Sequence, residues 1–423
     1  MAHVLKRADL EPLLLGGCFF GSGGGGTVVS ARSLVSHFEK GDYYPSDHVR
    51  VVSVEEATEG ESVMVAYMGA PEAIDGATHP VGPVLAVQNV QQRLASQGRK
   101  LAYVVPPESG ALGFTVACLV AAKLGLAVVD GDGAGRAVPS LPMLTFAARH
   151  VDPRPAFLVS QDGLSVELDV TPRQGPGGGR QHQEDVSVIV EQMMRPIVAA
   201  PEFNEFGGLA MWVMSSQTLR HALPITGTLS RALGFGRALL AGELKDAGAV
   251  IDWLQRHWQV RAQTLFASGV VASAKVDTTG GFDLGTVLIR AAHGGKGHAA
   301  ADVPTATVLY QNESLLAWSS QSAQPLCMAP DGIAYFFEMG AGHAGDAVAS
   351  NGDLLQPDGS LNPVYKGRKV TVLGLSANPI LREPGGLILD SFMQQAVTLG
   401  YRGPYVPVEE LTGPATQVTG GAR

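Results

Sequence analysis

From residue 49 onward the chain alternates between two hydrophobic periods, and no other feature limits its fold so strongly. VRVVSV and SVMVAYM have the short, β-branched character of strands, while VLAVQNVQQRLASQ carries apolar residues at helical spacing and closes at Gly98. KLAYVV, GFTVACLVAAKLG and LAVVD then repeat strand, helix, strand. Strands separated by helices of this length pair in parallel through right-handed crossovers. The expectation is an α/β fold, an αβα sandwich of three layers around a mainly parallel sheet. AFLVS and LSVELDV, joined through Gln161, Asp162 and Gly163, read as a hairpin, and TPRQGPGGGRQHQ after them reads as a surface linker near 171–183. Residues 185–245 return to helical periodicity. From about residue 260 the segments turn β-branched and alternating, as in VRAQTLFASGVVASAKV, GTVLIRAA, ATVLYQNESLLAWSS and KVTVLGLSA, which predicts an all-β, barrel-like unit. The chain thus divides into an α/β domain over 1–250, a β-rich domain over 251–385 and a C-terminal segment over 386–423 that ends in a disordered tail.

GSGGGG, residues 21–26, satisfies G-x-G-x-x-G with Gly21, Gly23 and Gly26. A dinucleotide loop of that form follows a strand and opens a helix. Here EPLLL upstream reads as a helix stopped by Gly16 and Gly17, and Val28, Leu34, Val35 and Phe38 downstream fall on helical spacing. Helix, loop, helix is the wrong context, so no NAD is expected. Two roles stay open for Gly23, Gly24, Gly25 and Gly26. They form a backbone wall presenting N–H groups to a ligand, or a tight corner between packed helices.

Charge and cysteine content narrow the function. A net charge of −9 with no basic run argues against a nucleic-acid surface. Cys18, Cys118 and Cys327 lie far apart and form no C-x-x-C pair, so neither a disulfide framework nor a zinc site is indicated, and a reducing cytoplasm fits. The most apolar window, LGFTVACLVAAKLGLAVV, is interrupted by Lys123 and Gly125, and no secretion signal or membrane span is expected. The 53 glycines predict many tight turns and loops that carry function.

In an open parallel sheet, ligands bind beyond the carboxyl ends of the strands. YMGAP ends one strand at Gly69, VVPPESG ends the next at Glu108, and VVDGDGAGRA ends the third at Asp130, followed by Asp132 and Arg136. The three carboxylates are expected in one crevice, with Glu108 kept ionised by the helix N-terminus that follows it. Carboxylates grouped this way ligate a divalent metal, act as general base, or cap helices and turns. Arg136 either neutralises them or clamps a substrate carboxylate. PITGTLSRALGFGRA places Thr226, Thr228 and Ser230 at a helix start, where substrate contact and N-capping are both open. His79 follows the YMGAP loop and is a candidate ligand or acid, whereas His293 and His298 in HGGKGH read as a solvent-exposed loop.

Taken together and in order, GGCFFGSGGGG, YMGAP, the Glu108 loop, VVDGDGAGRAVPSLPM, PITGTLSRALGFGRA, TTGGFDLGTV, YQNESLLAW and APDGI resemble the S-methyl thiohydantoin desulfurase-like family, first catalogued beside hydantoinase/oxoprolinase genes. The resemblance spans nearly the whole chain. It implies an N-terminal αβα sandwich followed by a β-rich, barrel-like domain. It also implies attack of water on C2 of a thiohydantoin or hydantoin ring, with release of sulfide or methanethiol and the help of a divalent metal. By motif, Glu108, Asp130 and Asp132 would be the polar core, with Asp130, Asp132 and His79 as metal candidates, and Gly23 to Gly26 the backbone wall. The family pattern after Glu108 is G-G-x-N, whereas this chain has Gly110, Ala111 and Gly113, which leaves the substrate open. The leading expectation is a metal-assisted hydrolase of a small cyclic amide or thioamide. The alternative is a non-catalytic binding subunit that partners a hydantoinase/oxoprolinase-type enzyme; a homo-oligomer is also open.

Overall fold

Along Glu61–Gly69 successive side chains point to opposite faces, and both faces are buried: Val63 and Val65 join one apolar cluster, Met64, Ala66 and Met68 another. A strand buried on both sides lies inside a layered sheet. The computed structural model describes residues 3–69, 74, 77–171, 186–279, 282–292, 303–339 and 343–411. The chain runs β1 (His3–Lys6), α1 (Arg7–Phe20), α2 (Val28–Ser36), β2 (His48–Val52), β3 (Glu61–Gly69), α3 (Val81–Ala95), β4 (Leu101–Val105), α4 (Ala111–Leu124), β5 (Ala127–Val129) and α5 (Thr145–Ala148). β6 (Ala156–Val159), β7 (Ser165–Leu168), α6 (Val186–Val198), β8 (Phe206–Met214), α7 (Ser216–Ala222), α8 (Thr228–Leu240) and α9 (Ala247–Trp258) follow.

These strands form one sheet in the order β1-β2-β5-β4-β3-β8-β6-β7. β3, β4 and β5 pair in parallel through the crossover helices α3 and α4, and β2 adds to β5 in parallel. The remaining ladders are antiparallel, and so the expectation of a mainly parallel sheet is corrected to a mixed one. β1 joins β2 through the helix pair α1 and α2, and β7 follows β6 through a short turn; neither is the single-helix crossover that makes parallel neighbours. β8 was expected as helix. Its run, FGGLAMWVM, is almost wholly buried, so it carries no polar face by which a period of two could be told from 3.6. Helices cover both faces of the sheet, α1 to α4 and α8 on one, α6 and α7 on the other.

Gly16 and Gly17 do not stop α1. The helix runs through them because its close neighbours need the room: a Cβ on Gly16 would lie 1.9 Å from the Ala232 carbonyl oxygen, and one on Gly236 would lie 1.8 Å from that of Pro12. α1 and α8 therefore cross in backbone contact. Phe19 stacks on Phe235 at 4.2 Å and completes the crossing.

The second half of the chain supplies β9 (Ala262–Thr279), β10 (Phe282–Ala291), β11 (Thr305–Gln311), β12 (Glu313–Ser319), β13 (Cys327–Met328), β14 (Gly332–Phe337), β15 (Val348–Ala349), β16 (Lys369–Leu375) and α10 (Leu387–Thr398). The strands pair antiparallel throughout, in the order β13-β12-β11-β10-β9-β16-β14-β15. The two halves share a core. Ile388 and Phe392 of α10, with Leu315 and Ala329, pack into the cluster on the α6 face of the first sheet. Among the described residues no helix is long and apolar enough to cross a membrane. The tail from residue 412, the His293 to His298 loop and nearly all of the 171–183 linker lie outside the described residues.

Candidate active site

Beyond the carboxyl ends of β3 and β4 the structure opens a crevice of about 820 Å³, mouth included. Its walls are Met68 and Gly69 at the end of β3, Pro107 and Glu108 after β4, Leu112 and Gly113 of α4, and Gly25 and Gly26 of the glycine run. α6 adds Glu191 and Arg195. The second sheet closes the crevice with Asn312 and Glu313, at the turn between β11 and β12. Asn312 takes a left-handed φ of 56°, which Asn tolerates, and so places Glu313 at the start of β12 and inside the fold.

The glycine run is where the two halves meet. Asn351 N–H donates to the Gly23 carbonyl, Ser314 N–H to that of Ser22, and Leu112 N–H, at the start of α4, to that of Gly25. A Cβ on Gly24 would stand 2.4 Å from Glu313 Oε1. Gly25 adopts φ 70°, and its backbone lowers the pKa of Glu313 by hydrogen bonding. The run therefore presents N–H to a carboxylate of the protein itself, while Gly25 and Gly26 line the crevice.

Glu108 and Glu313 are the titratable heart of this crevice. Burial pushes Glu108 well above the usual carboxylate range, the Glu313 charge adds to the rise, and the Val138 N–H, donating to Oε2 at 2.7 Å, opposes it. The expected ionisation of Glu108 by the α4 N-terminus is corrected, because desolvation outweighs the dipole. Burial pushes Glu313 up to about 7, against the Arg136 charge. Glu313 Oε2 is buried and has no hydrogen-bond partner among the described residues. Two carboxyls that resist ionising together hold a proton near neutrality.

The other expected residues lie elsewhere. Asp132 is fully buried, accepting from Ser109 Oγ at 2.7 Å, Ala134 N–H at 2.9 Å and Gly135 N–H, so it ties the loop after β5 to the loop after β4. The Thr228 hydroxyl stands near Asp132 without reaching hydrogen-bond geometry. Asp130 accepts from Leu229 N–H, Ser230 N–H and Ser230 Oγ, and caps α8. His79 sits in an aromatic cluster, 4.1 Å from the Tyr43 ring, where burial and neighbouring His37 lower its pKa.

Arg136 is buried and donates to four backbone carbonyls besides lying near both glutamates: Ala137 at 2.8 Å, Ser314 at 2.9 Å, Asp331 at 2.7 Å and Pro330 at 3.2 Å. It staples the 130–138 loop to the second sheet. Thr226 is exposed in a second crevice, on the far side of that loop. The loop is a partition: Glu108, Gly25, Gly26 and Gly69 face one side, Arg136 and Thr226 the other.

The implied divalent metal finds its expected donors already engaged or outside the crevice. The Asp130 and Asp132 oxygens are engaged by N–H and O–H groups, and His79 lines neither crevice. Among the described residues no three His, Cys, Asp or Glu side chains form a metal-holding group. These residues do not fit a resident cation. Glu313, Glu191 and Arg195 were not anticipated as site residues, although Glu313 carries a readable signal: a carboxylate within the strand-like ESLLAW.

The profile for the S-Me-THD-like N-terminal domain matches residues 8–170, and that for the S-Me-THD-like C-terminal domain matches residues 184–408. An X-ray crystal structure of a protein from Chromobacterium violaceum, a structural-genomics target, is 55% identical, with a TM-score of 0.84 over 96% of this chain and 100% of that one. No curated protein matches the chain.

Proposed function

The chain belongs to the S-Me-THD-like family, and on that premise we propose that the Glu108–Glu313 crevice hydrolyses the C2–sulfur bond of a small thiohydantoin-type ring. The observation that carries this reading is the unpartnered, buried Glu313 Oε2 in one crevice with a second carboxyl, Glu108, whose pKa burial raises well above the usual carboxylate range. A carboxylate with a pKa near 7 is a competent general base at neutral pH, and a neutral carboxylic acid next to it is a competent general acid.

For an S-methyl thiohydantoin, water would bond to C2 while one of its protons passes to Glu313. The C2–nitrogen π electrons move to nitrogen, which takes the Glu108 proton. Collapse then forms the C2 carbonyl, returns the hydroxyl proton to Glu108 and breaks the C2–S bond, with the Glu313 proton leaving on methanethiol. Both glutamates end as they began, and the products are hydantoin and methanethiol. The mostly apolar lining, with Met64, Ala66, Met68, Ile74, Leu112 and Leu209, suits a small, uncharged ring.

The test is methanethiol release from S-methyl thiohydantoin by the purified chain, compared with Glu313→Gln and Glu108→Gln. Each variant is expected to lose about 10²-fold or more in kcat. Turnover unchanged in both would sink the assignment.

A further inference from the structure

The second crevice, across the 130–138 loop, is larger than the first, about 1370 Å³ with its mouth, and its chemistry is opposite. Four arginines line it, Arg136, Arg231, Arg261 and Arg382, against one carboxylate, Glu409. Two of the four are spent on the fold. Arg382 pairs with Asp331 and with Glu409, and every nitrogen of the Arg136 guanidinium donates to a backbone carbonyl.

Arg231 and Arg261 are not spent. Arg231, in the first turns of α8, lies over the Phe20 ring with its guanidinium carbon 4.2 Å from the centroid, and donates from Nη2 to the Gly135 carbonyl at 2.9 Å. Its Nε is buried without a hydrogen-bond partner among the described residues. Asp130 and Asp132 act on it through space and hydrogen-bond to other groups. A guanidinium with donors left over beside a cavity is costly for the protein alone, and an oxyanion is the ligand whose charge and lone pairs match it. Arg261 is exposed and its side chain has no partner among the described residues. Trp258, Ile225 and Ile333 add apolar surface to the same crevice.

We propose that this second crevice binds a small oxyanion, clamped by Arg231 and Arg261. The shared chemistry is a planar or tetrahedral group of negatively charged oxygens, carried either by inorganic phosphate or by an organic carboxylate whose body lies on Trp258. The site is separate from the glutamate crevice, and its test is a binding measurement that does not depend on turnover.

The experiment is calorimetric titration of the full chain at constant ionic strength, one arm with phosphate and one with benzoate, with tryptophan fluorescence followed alongside. At least one arm is expected to saturate with one ligand per chain. Saturation by benzoate alone assigns an organic carboxylate, and saturation by phosphate assigns the tetrahedral anion. Arg261→Ala is expected to weaken the binding tenfold or more, and Arg261→Lys, which keeps the charge, to restore most of it. Arg231→Lys is expected to weaken it as well, since an ammonium lacks the planar fork. Two flat titrations on chain whose thermal unfolding shows it to be folded would overturn the proposal. So would binding that is equally tight in Arg261→Ala and Arg231→Lys.

Discussion

The two crevices share one wall and make opposite use of it. On one side two carboxyls from separate sheets are forced together, so that burial, not a cation, decides their protonation. On the other side four arginines gather against one carboxylate. The wall is the 130–138 loop, whose own charges are internally consumed: Asp130 by α8, Asp132 by the turn and Ser109, Arg136 by the carbonyls of the second sheet. A polar-rich motif in a sequence can thus be the partition between sites and not the floor of one.

Removing the wall's staple should affect both crevices together. Arg136→Ala leaves the Ala137, Ser314, Pro330 and Asp331 carbonyls without their buried donor and takes a cation from beside Glu313. Destabilisation on the order of 3–5 kcal/mol is expected in urea unfolding. A loss below about 1 kcal/mol would show that the loop is held by other means.

Stability against pH should separate the crevices. The folded pKa of Glu313 lies above the ordinary value of a free glutamate, so the folded state binds the extra proton. Its contribution is therefore fully present below about pH 4.5 and is lost as pH rises through about 7. Glu313→Gln removes that loss, and the variant should gain on the parent by on the order of 2–3 kcal/mol between pH 4.5 and 8. A difference independent of pH would mean that Glu313 is ionised throughout.

A smaller effect is expected at the wall itself. Asp132→Asn turns one acceptor oxygen into a donor facing the Ser109 hydroxyl or the Ala134 and Gly135 N–H groups. A loss of about 1–3 kcal/mol in stability, with kcat for methanethiol release within a few-fold of the parent, is the expected pair of results. Turnover abolished in a folded variant would return Asp132 to the chemistry. Smallest is Gly113→Asn. A Cβ there meets only the Glu108 carbonyl oxygen, at 3.3 Å, and Glu108 Cγ, at 4.0 Å, so the new amide stands beside Glu108 in the crevice lining. A change in KM of a few-fold, with kcat nearly kept, is expected from steady-state kinetics; a loss in kcat alone would show that the position disturbs Glu108.

What could be read in advance follows the range of the forces involved. β3, β4, β5 and their helices were legible because alternation is a local signal, and the hairpin of β6 and β7 because its turn is. β8 was not, since burial on both faces erases the period. Gly16 and Gly17 read as punctuation because their reasons are distant in sequence, α8 against Gly16 and the start of α4 against Gly17. Glu108 stood out at a strand end. Its partner Glu313 did not, because the pairing exists only when the β11–β12 turn folds back over the glycine run. Asp130 and Asp132 looked like a site for the same reason that they make a good turn: short carboxylates among glycines satisfy nearby N–H groups.

The central claim is that Glu313 as base and Glu108 as acid work together in one crevice. The most direct test is the pH profile of kcat/KM for methanethiol release by the parent and by Glu313→Gln. The parent should show a rising limb near pH 7 as Glu313 loses its proton, and that limb should vanish in the variant together with about 10²-fold of the rate. A variant that keeps both the parent's rate and its rising limb would contradict the account.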